Sequence, residues 1–277
     1  MIRSPGRLVL LGHPVGHSLS PTFQNAALRR AALPLEYVAL DVAPADLDRT
    51  LVALRAERAA GNVTIPHKFA MIRACAEVTP LAARTGAVNT FWTREDGALA
   101  GDNTDVAGVE AAVRALVGHA PARTGIVLLG AGGAAAAVLA AAASWPAGMI
   151  QVWSRRPDAA RSLAARFPGT VAPVEALAGA LAGALAGALA GATLVINATP
   201  VGMTDDALPC PLEAIAPHAA VLDLVYRRGE TAFVRAARAR GHRAADGLVM
   251  LLEQGALAFE RWFGVAPDRE AMRASIS

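Results

Sequence analysis

Lysine, aromatic residues and clustered charge are all scarce in this chain of 277 residues. Lys68 is the only lysine among 26 basic residues, and aromatic residues make up 5% of the sequence. The net charge is +3 and comes from scattered arginines. Because nucleic-acid binding needs a concentrated basic surface, this composition argues against it. A mildly basic enzyme acting on small anionic molecules is favoured.

Cysteine is also rare, with only Cys75 and Cys210 in the chain. Neither lies in a Cys-x-x-Cys motif, and no Cys/His spacing is typical of a zinc site. We therefore expect no metal. A disulfide between Cys75 and Cys210 is disfavoured because the sequence shows no export signal. The apolar stretch over residues 1–11 is too short for a signal peptide, so we expect a cytoplasmic protein.

Two uncharged runs, 126–143 and 176–196, are long enough to cross a bilayer. Both are dominated by alanine and glycine, which provide little apolar surface, so we expect no membrane partner. Within the second run, residues 176–191 repeat Ala-Leu-Ala-Gly with period four. We interpret this tract as a surface helix or loop without chemistry, and we expect it to be mobile.

Strand-like and helix-like patterns alternate along the chain, which predicts an α/β fold. The predicted strands are 8–11, 36–41, 61–65, 126–129, 150–153, 193–197 and 220–224, with a hairpin of 88–92 and 98–101. The predicted helices are 21–32, 45–59, 106–117, 134–143, 157–166, 231–240 and a last helix over 247–262. The helix over 106–117 separates two predicted domains, and the last helix is expected to return to the first.

A glycine-rich loop follows the strand 126–129 and opens a helix, which is the context of a dinucleotide-binding fingerprint. Its residues are Gly130, Ala131, Gly132, Gly133 and Ala134. Such glycines permit a tight turn and a close approach of backbone N–H groups to a pyrophosphate. The alternative is an Ala/Gly-rich turn without a ligand.

The end of the next strand bears on the choice between NAD and NADP. Ser154, Arg155 and Arg156 stand where an acidic residue would serve the ribose of NAD, and guanidinium groups clamp a 2′-phosphate. NADP is therefore favoured, with NAD as the alternative because Asp158 lies nearby.

Four polar clusters lie in the first predicted domain, and three further motifs lie at or after the strands of the second. They are Gly12-His13-Pro14-Val15-Gly16-His17-Ser18-Leu19-Ser20-Pro21, Asn62-Val63-Thr64-Ile65-Pro66-His67-Lys68, Gly86-Ala87-Val88-Asn89-Thr90, Asp102-Asn103-Thr104-Asp105, Asn197-Ala198-Thr199-Pro200-Val201-Gly202-Met203, Asp223-Leu224-Val225-Tyr226 and Gly247-Leu248-Val249-Met250-Leu251-Leu252-Glu253-Gln254. With these motifs in this order, the chain resembles the shikimate dehydrogenase family along nearly its whole length.

The resemblance implies a role for each matching position. Lys68 and Asp105 are the implied catalytic pair. The implied substrate-binding residues are Ser18, Ser20, Thr64, Asn89, Tyr226 and Gln254. The implied NADP-binding residues are Gly130, Ala131, Gly132, Gly133, Ala134, Ser154, Arg155, Arg156, Thr199, Met203 and Gly247. Residues 1–105 with 248–277 are then the substrate-binding domain, and 106–247 a Rossmann-type NADP-binding domain.

The implied reaction is the reversible NADP-dependent reduction of 3-dehydroshikimate to shikimate, a step of chorismate and aromatic amino acid biosynthesis. Hydride addition to a ketone leaves negative charge on oxygen, and an ammonium held by a carboxylate both stabilises that charge and delivers a proton. Which of Lys68 and Asp105 moves the proton is left open, and a monomer or homodimer is expected.

Several positions have plainer interpretations. Ser18 and Ser20 are also typical helix caps. Asn89 is preferred for substrate and Asn62 for structure, while Tyr226 and Gln254 are also compatible with ordinary half-buried positions. His13 and His17 are interpreted as structural, because no aspartate is clearly paired with them and no nucleophile elbow is present.

The chain departs from the family pattern at three places. Gln24 stands before Asn25 where a histidine is common, Ser154 replaces an asparagine, and Arg227-Arg228 replace a proline. Three alternatives remain open: a quinate/shikimate dehydrogenase that also uses NAD, a non-catalytic ligand sensor, and a hydride-transfer enzyme for another cyclic acid.

Overall fold

The computed structural model describes residues 4–146, 148–173 and 181–276, which form two compact units. Unit 1 comprises Met1–Asp105 and Leu251–Ser277, and unit 2 comprises Val106–Met250. Each unit is built around one six-stranded sheet.

The sheet of unit 1 is mixed and has the strand order β2-β1-β3-β5-β6-β4. Its strands are β1 (Arg7–Gly12), β2 (Tyr37–Asp41), β3 (Ala59–Val63), β4 (Glu77–Val78), β5 (Thr90–Thr93) and β6 (Leu99–Asp102). β1 runs parallel to both β2 and β3, whereas β5 is antiparallel to β3 and β6. Residues 8–12 of β1 are all buried, as expected for a strand covered on both faces.

The helices assigned mainly to unit 1 lie between these strands or near the end of the chain. They are α1 (Ser20–Arg30), α2 (Leu47–Ala56), α3 (Lys68–Ala74), α4 (Pro80–Thr85), α10 (Leu248–Phe263) and α11 (Arg269–Ala274). The predicted helix over 45–59 was too long. A 3-10 turn, Pro44–Asp46, precedes α2, and Arg58 adopts a positive φ of 54° that turns the chain into β3.

Unit 2 has an entirely parallel sheet of order β12-β11-β10-β7-β8-β9. Its strands are β7 (Ile126–Leu129), β8 (Ile150–Trp153), β9 (Val171–Pro173), β10 (Leu194–Asn197), β11 (Ala220–Asp223) and β12 (Ala244–Ala245). Every residue of β7, β10 and β11 is buried, because a parallel sheet has helices on both faces. The predicted α/β fold class is thus confirmed.

The helices of unit 2 include one made from the period-four tract. They are α5 (Asp105–Val117), α6 (Gly133–Ala141), α7 (Pro157–Arg166), α8 (Leu181–Ala190) and α9 (Ala232–Ala239). In α8, Leu185 and Leu189 are buried in the core of unit 2, so one face of the tract contributes to packing. Residues 176–180 of the tract lie outside the described residues.

Two further expectations concern the last predicted helix and the absence of membrane-spanning helices. α10 begins at Leu248, one residue after the predicted start, and its residues from Leu251 onward belong to unit 1. It is not the last helix, because α11 follows it. In the part of the chain that the structure describes, no helix is both long and apolar enough to cross a membrane.

Candidate active site

Lys68 and Asp105 form a close ion pair within unit 1. Lys68 is the first residue of α3, and Asp105 is the first residue of α5. The Nζ of Lys68 donates to Oδ2 of Asp105 over 2.6 Å. The side chains are 15% and 4% exposed, so the pair is largely shielded from water. A charge-assisted hydrogen bond in such surroundings orients both groups strongly.

The turn between β3 and α3 places the lysine. The N–H of Thr64 donates to the carbonyl of Leu11 over 2.8 Å, and the N–H of His67 donates to the carbonyl of Thr64 over 2.9 Å. The buried His67 ring also contacts the carbonyl of Val42 through Nε2 over 2.7 Å. These bonds tie the start of α3 to the ends of two neighbouring strands, so Lys68 extends from a fixed point.

Asn89 holds the other oxygen of the carboxylate. Its Nδ2 donates to Oδ1 of Asp105 over 2.9 Å and to Oε1 of Gln254 over 3.1 Å. Its Oδ1 accepts from the N–H of Thr104 over 2.7 Å. Asn89 is 1% exposed and its amide is committed to protein partners. The structure therefore brings four predicted site residues together, Lys68, Asn89, Asp105 and Gln254, with Asn89 at the centre.

The segment of residues 13–20, called the serine loop below, leads into α1. Ser20 is buried and begins the helix, while the half-buried Ser18 accepts from the N–H of Ser20 through Oγ over 3.2 Å. Thr64 is half-buried beside Gly12, where a Cβ would lie 2.5 Å from Cγ2 of Thr64. The glycine therefore allows β1 and the turn carrying Thr64 to approach closely.

His13, interpreted from the sequence as having no aspartate partner, contacts Asp41. Its Nδ1 lies 2.5 Å from Oδ1 of Asp41, so the expectation that no aspartate pairs with it was wrong. The hydrogen bond from His13 lowers the pKa of the Asp41 carboxyl. Asp41 ends β2 beside Gly12 of β1, and its link to a residue 28 positions earlier depends on that strand pairing. Both side chains are about half exposed, which fits an anchor for the serine loop.

Gln24 occupies the position where the family pattern commonly has histidine. It is fully buried in α1, and its Nε2 donates to the carbonyl of Gly255 over 2.9 Å. A Cβ at Gly255 would lie 3.2 Å from that nitrogen, so the two helices meet closely here. Gln24 thereby supports the segment of α10 that carries Gln254.

The glycine-rich loop of unit 2 joins β7 to α6. Gly130 has a φ of +115°, and a Cβ there would lie 2.8 Å from the carbonyl oxygen of Ala198. Gly132 has an extended backbone, and a Cβ there would meet no atom within 4 Å. The loop therefore combines one glycine required by the turn with one that leaves open space at the helix N-terminus, as a pyrophosphate cradle needs.

The arginines after β8 are exposed. Arg155 and Arg156 follow Ser154, whose Oγ accepts from the N–H of Arg156 over 3.2 Å. Asp158, the residue that favoured the NAD alternative, is paired with Arg161 over 2.5 Å. The end of β8 therefore offers positive charge, which fits a 2′-phosphate better than a ribose hydroxyl.

Thr199, Met203, Tyr226 and Gly247 follow the carboxyl ends of strands in unit 2, where open α/β sheets bind ligands. The N–H of Gly247 donates to the carbonyl of Val225 over 3.0 Å.

Arg227, one of the departures from the family pattern, holds the loop that carries Met203. Its Nη1 donates to the carbonyl of Asp205 over 3.1 Å, and its Nη2 donates to Oδ1 of Asp206 over 2.7 Å. This contact lowers the pKa of the Asp206 carboxyl. The arginine thus links the chain after β10 with the chain after β11.

Comparison with known proteins identifies the relatives of the chain. Residues 10–91 match the family model of the shikimate dehydrogenase substrate binding domain, and residues 247–276 match that of the shikimate 5'-dehydrogenase C-terminal domain. The NADP(+)-dependent shikimate dehydrogenase of Moorella thermoacetica is 43% identical over 98% of this chain and 95% of its own. The chain belongs to the shikimate dehydrogenase family.

Solved structures of the shikimate dehydrogenase family and its relatives have the same fold. Shikimate 5-dehydrogenase from Thermus thermophilus, in complex with NADP(H) and shikimate, has a TM-score of 0.83 and 38% identity over 98% of each chain. Quinate dehydrogenase from Corynebacterium glutamicum, in complex with NAD, has a TM-score of 0.86 and 28% identity over 99% of each chain. The family predicted from the sequence is confirmed.

Sequence reasoning missed the residues that support the site. Thr104 and Asp223 belong to quoted motifs but received no role, although both make buried hydrogen bonds. For Asp223, a lone acidic residue at the end of an apolar strand was the available signal.

Proposed function

We propose that the protein catalyses the reversible NADP-dependent reduction of 3-dehydroshikimate to shikimate, with Lys68 and Asp105 as the catalytic pair. The observation that carries this proposal is the shielded ion pair between them, 2.6 Å long, in a chain of this family. We further propose that unit 1 binds the substrate and unit 2 binds NADP. The predicted cytoplasmic location and the monomeric or homodimeric state remain part of the proposal.

The proposed chemistry uses the N–H groups of Lys68 that do not contact Asp105. An ammonium carries three N–H groups, and one of them is used by Asp105. The remaining groups stabilise negative charge on the substrate oxygen, and one of them supplies the proton. NADPH, when bound, supplies the hydride to the carbonyl carbon. In the reverse direction the amine of Lys68 takes the proton back from the hydroxyl.

Asp105 acts by holding the ammonium. One carboxylate oxygen contacts Lys68 and the other contacts Asn89, so the carboxylate is fixed from both sides. Since its oxygens are already used, we assign the proton transfer to Lys68 and the orienting role to Asp105. Asn89 then acts through Asp105 and Gln254.

The ring hydroxyls and carboxylate of the substrate require further polar groups. We assign these contacts to Ser18, Ser20, Thr64, Tyr226 and Gln254, as the family resemblance implies. In unit 1, the serine loop and the turn carrying Thr64 are each anchored to neighbouring strand ends, by His13–Asp41 and by the N–H of Thr64 respectively.

NADP binding is assigned to the glycine-rich loop and to Arg155 and Arg156. The open space at Gly132 and the exposed guanidinium groups support this assignment. The pairing of Asp158 with Arg161 also disfavours NAD. Thr199, Met203 and Gly247 are assigned to the nicotinamide side.

The test is a steady-state assay of the full chain that follows the absorbance of reduced nicotinamide. We expect the highest kcat/KM with shikimate and NADP, and much lower values with quinate or NAD. A preference for quinate and NAD would favour the alternative suggested by the quinate dehydrogenase fold. No turnover with either substrate would overturn the proposal in favour of a ligand sensor.

A further inference from the structure

Asp223 is a fully buried carboxyl group that the proposed chemistry does not use. It ends β11, and its Oδ1 accepts from Nδ2 of Asn197 over 2.8 Å and from the N–H of Val225 over 3.1 Å. Its Oδ2 accepts from the hydroxyl of Thr231 over 2.8 Å. The carboxyl group thus contacts the end of β10, the chain after β11 and the start of α9.

Asp223 is the closer of two acceptors that face the Nδ2 of Asn197, which also donates to the carbonyl of Val201 over 3.4 Å. An ionised carboxylate only accepts hydrogen bonds, so Asn197 must present its NH₂ group to Asp223. Its Oδ1 is then left for Thr199, from which it accepts the N–H over 3.0 Å and the hydroxyl over 2.6 Å. The orientation of one buried amide is thereby transmitted to the residue assigned to the nicotinamide side.

This arrangement fixes which hydrogen bond the hydroxyl of Thr199 donates and which it accepts. Its hydrogen points to Asn197, and its oxygen accepts from the N–H of Val201 over 3.2 Å. A hydroxyl oxygen has two acceptor sites, so one acceptor site remains. A ligand that meets Thr199, which is half-buried, must therefore offer a donor such as an amide N–H.

The second contact of Asp223 supports Gly247. The N–H of Val225 is held by Asp223, and the carbonyl of Val225 accepts from the N–H of Gly247. A Cβ at Gly247 would collide with the carbonyl of Leu224, so the two segments are in close contact. Asp223 is therefore linked to both Thr199 and Gly247.

Stability alone does not account for a carboxyl group at this place. Burial raises the pKa of Asp223 to about 6, and the nearby Asp246 carboxylate also raises it, whereas hydrogen bonds from Thr231, Asn197 and Val225 lower it. All three donors are neutral, and burying a charge without a counter-ion is unfavourable.

We propose that Asp223 is a positioning residue for the cofactor: it fixes the amide of Asn197 so that Thr199 offers a hydrogen-bond acceptor, and it holds the segment that supports Gly247. The proposal rests on the proposed function, because it takes NADP as the ligand of unit 2. Asp223 itself touches neither substrate nor cofactor and acts through Asn197 and Val225.

The test compares Asp223→Leu with Thr231→Val in the full chain. Asp223→Leu removes the closer acceptor of the Asn197 amide and leaves only its longer contact with the carbonyl of Val201. It should weaken NADP binding about tenfold, the loss of one oriented hydrogen bond. Thr231→Val removes only the third contact, together with the cap of α9, whose N–H at Val234 lies 3.3 Å from the hydroxyl. It should lower the melting temperature but leave the Kd for NADP unchanged. Calorimetric titration with NADP measures the Kd without turnover.

Two further variants keep the result decisive. Asp223→Asn retains an acceptor for Asn197 and should restore the Kd to within about twofold of the wild type. Thr199→Val should reproduce the defect, and the double variant with Asp223→Leu should be no weaker than either single variant, because both act through one contact. If Asp223→Leu fails to fold, Asp223→Ser, which lacks the carboxylate and has a shorter side chain, takes its place.

The inference is overturned if the Kd for NADP in Asp223→Leu or Asp223→Ser equals that of the wild type, or if Thr231→Val weakens binding as much. This outcome is distinct from a failure of the proposed function. A wild-type protein that binds NADP but turns over no shikimate would sink the proposed reaction and leave the comparison of Kd values intact.

Discussion

The polar groups gathered in unit 1 are side chains, whereas those offered by the glycine-rich loop of unit 2 are backbone amides. Around Lys68, five side chains hydrogen-bond to one another, with Asp105 joined to Lys68 and Asn89, and Asn89 joined to Thr104 and Gln254. At Gly132, by contrast, an added Cβ would have no neighbouring atom within 4 Å. We therefore expect substitutions that remove a functional group to impair catalysis by unit 1. In the glycine-rich loop of unit 2, we expect substitutions that add atoms to impair cofactor binding.

The largest expected effect is on unit 1. Lys68→Met removes the ammonium and keeps the length of the side chain, so kcat should fall about 10²–10⁴-fold, the usual contribution of a general acid. The Kd for NADP should not change, since Lys68 belongs to the other unit. Steady-state turnover at saturating substrate and calorimetric titration measure the two quantities.

Lys68→Arg is the matched control for charge. Arginine keeps a positive charge beside Asp105 but does not release a proton near neutral pH, so most of the loss should persist. Full activity in Lys68→Arg would show that charge alone suffices and would remove Lys68 as the proton donor.

The complementary experiment adds one methyl group to the loop of unit 2. Gly132→Ala has room for its Cβ, so stability should stay within about 0.5 kcal/mol, the usual range for a surface substitution. NADP should nevertheless bind at least about tenfold more weakly, because the methyl group occupies the space needed by a pyrophosphate.

Gly130→Ala separates backbone strain from ligand exclusion. Its φ of +115° and the close carbonyl of Ala198 should cost about 1–3 kcal/mol of folding free energy. Urea unfolding of both glycine variants provides the measurement. Equal stability losses at 130 and 132 would contradict the division of roles between them.

A smaller effect is expected where unit 2 does use side chains. Replacing both Arg155 and Arg156 with alanine removes the exposed positive charge after β8, and the preference for NADP over NAD should fall about tenfold. The ratio of kcat/KM values for the two cofactors measures it. Arg161→Ala, which breaks only the pair with Asp158, is the control and should leave the ratio higher than in the double variant.

A further expectation concerns pH and two buried carboxylates, Asp105 and Asp223. Asp105 has the ammonium of Lys68 as counter-ion, whereas Asp223 has neutral donors. Because the pKa of Asp223 is raised to about 6 in the folded state from 3.8, the folded protein binds more protons than the unfolded chain between these values. Stability should therefore fall as the pH rises from about 4 to 6, by on the order of 1–3 kcal/mol.

Asp223→Asn lacks this titration. Relative to that variant, the wild type should become more stable when the pH is lowered from about 7.5 to about 5, and denaturant unfolding at the two pH values measures the difference. Asp246, whose pKa is also raised by burial, is present in both proteins and largely cancels. A pH-independent difference would show that Asp223 has the same charge state throughout.

Local patterns predicted the four central strands of unit 2 but missed β9 and β12, which are three and two residues long. A strand, a glycine turn and a helix occur consecutively at 126–141, and their bounds in the structure are close to those expected. The helices α3 and α4, seven and six residues long, were missed because so short a segment shows little periodicity.

Links between distant residues could not be read from the sequence. The bond between Asn89 and Gln254 joins positions 165 residues apart, and that between His13 and Asp41 depends on strands pairing side by side. The residue types of the site were thus predictable, but the commitment of Asn89 to protein partners was not. That commitment decides whether the amide contacts a ligand or supports a neighbour.

The single lysine of the chain gives the protein an internal chemical label. A reagent that acylates side-chain amines has one target, Lys68, which is 15% exposed and bound to Asp105. Mass spectrometry of the peptide that contains Lys68, which separates this amine from the N-terminal α-amine, would therefore follow one side chain without any engineered tag. Slower acylation in the presence of shikimate would measure how much of the protein is occupied by ligand.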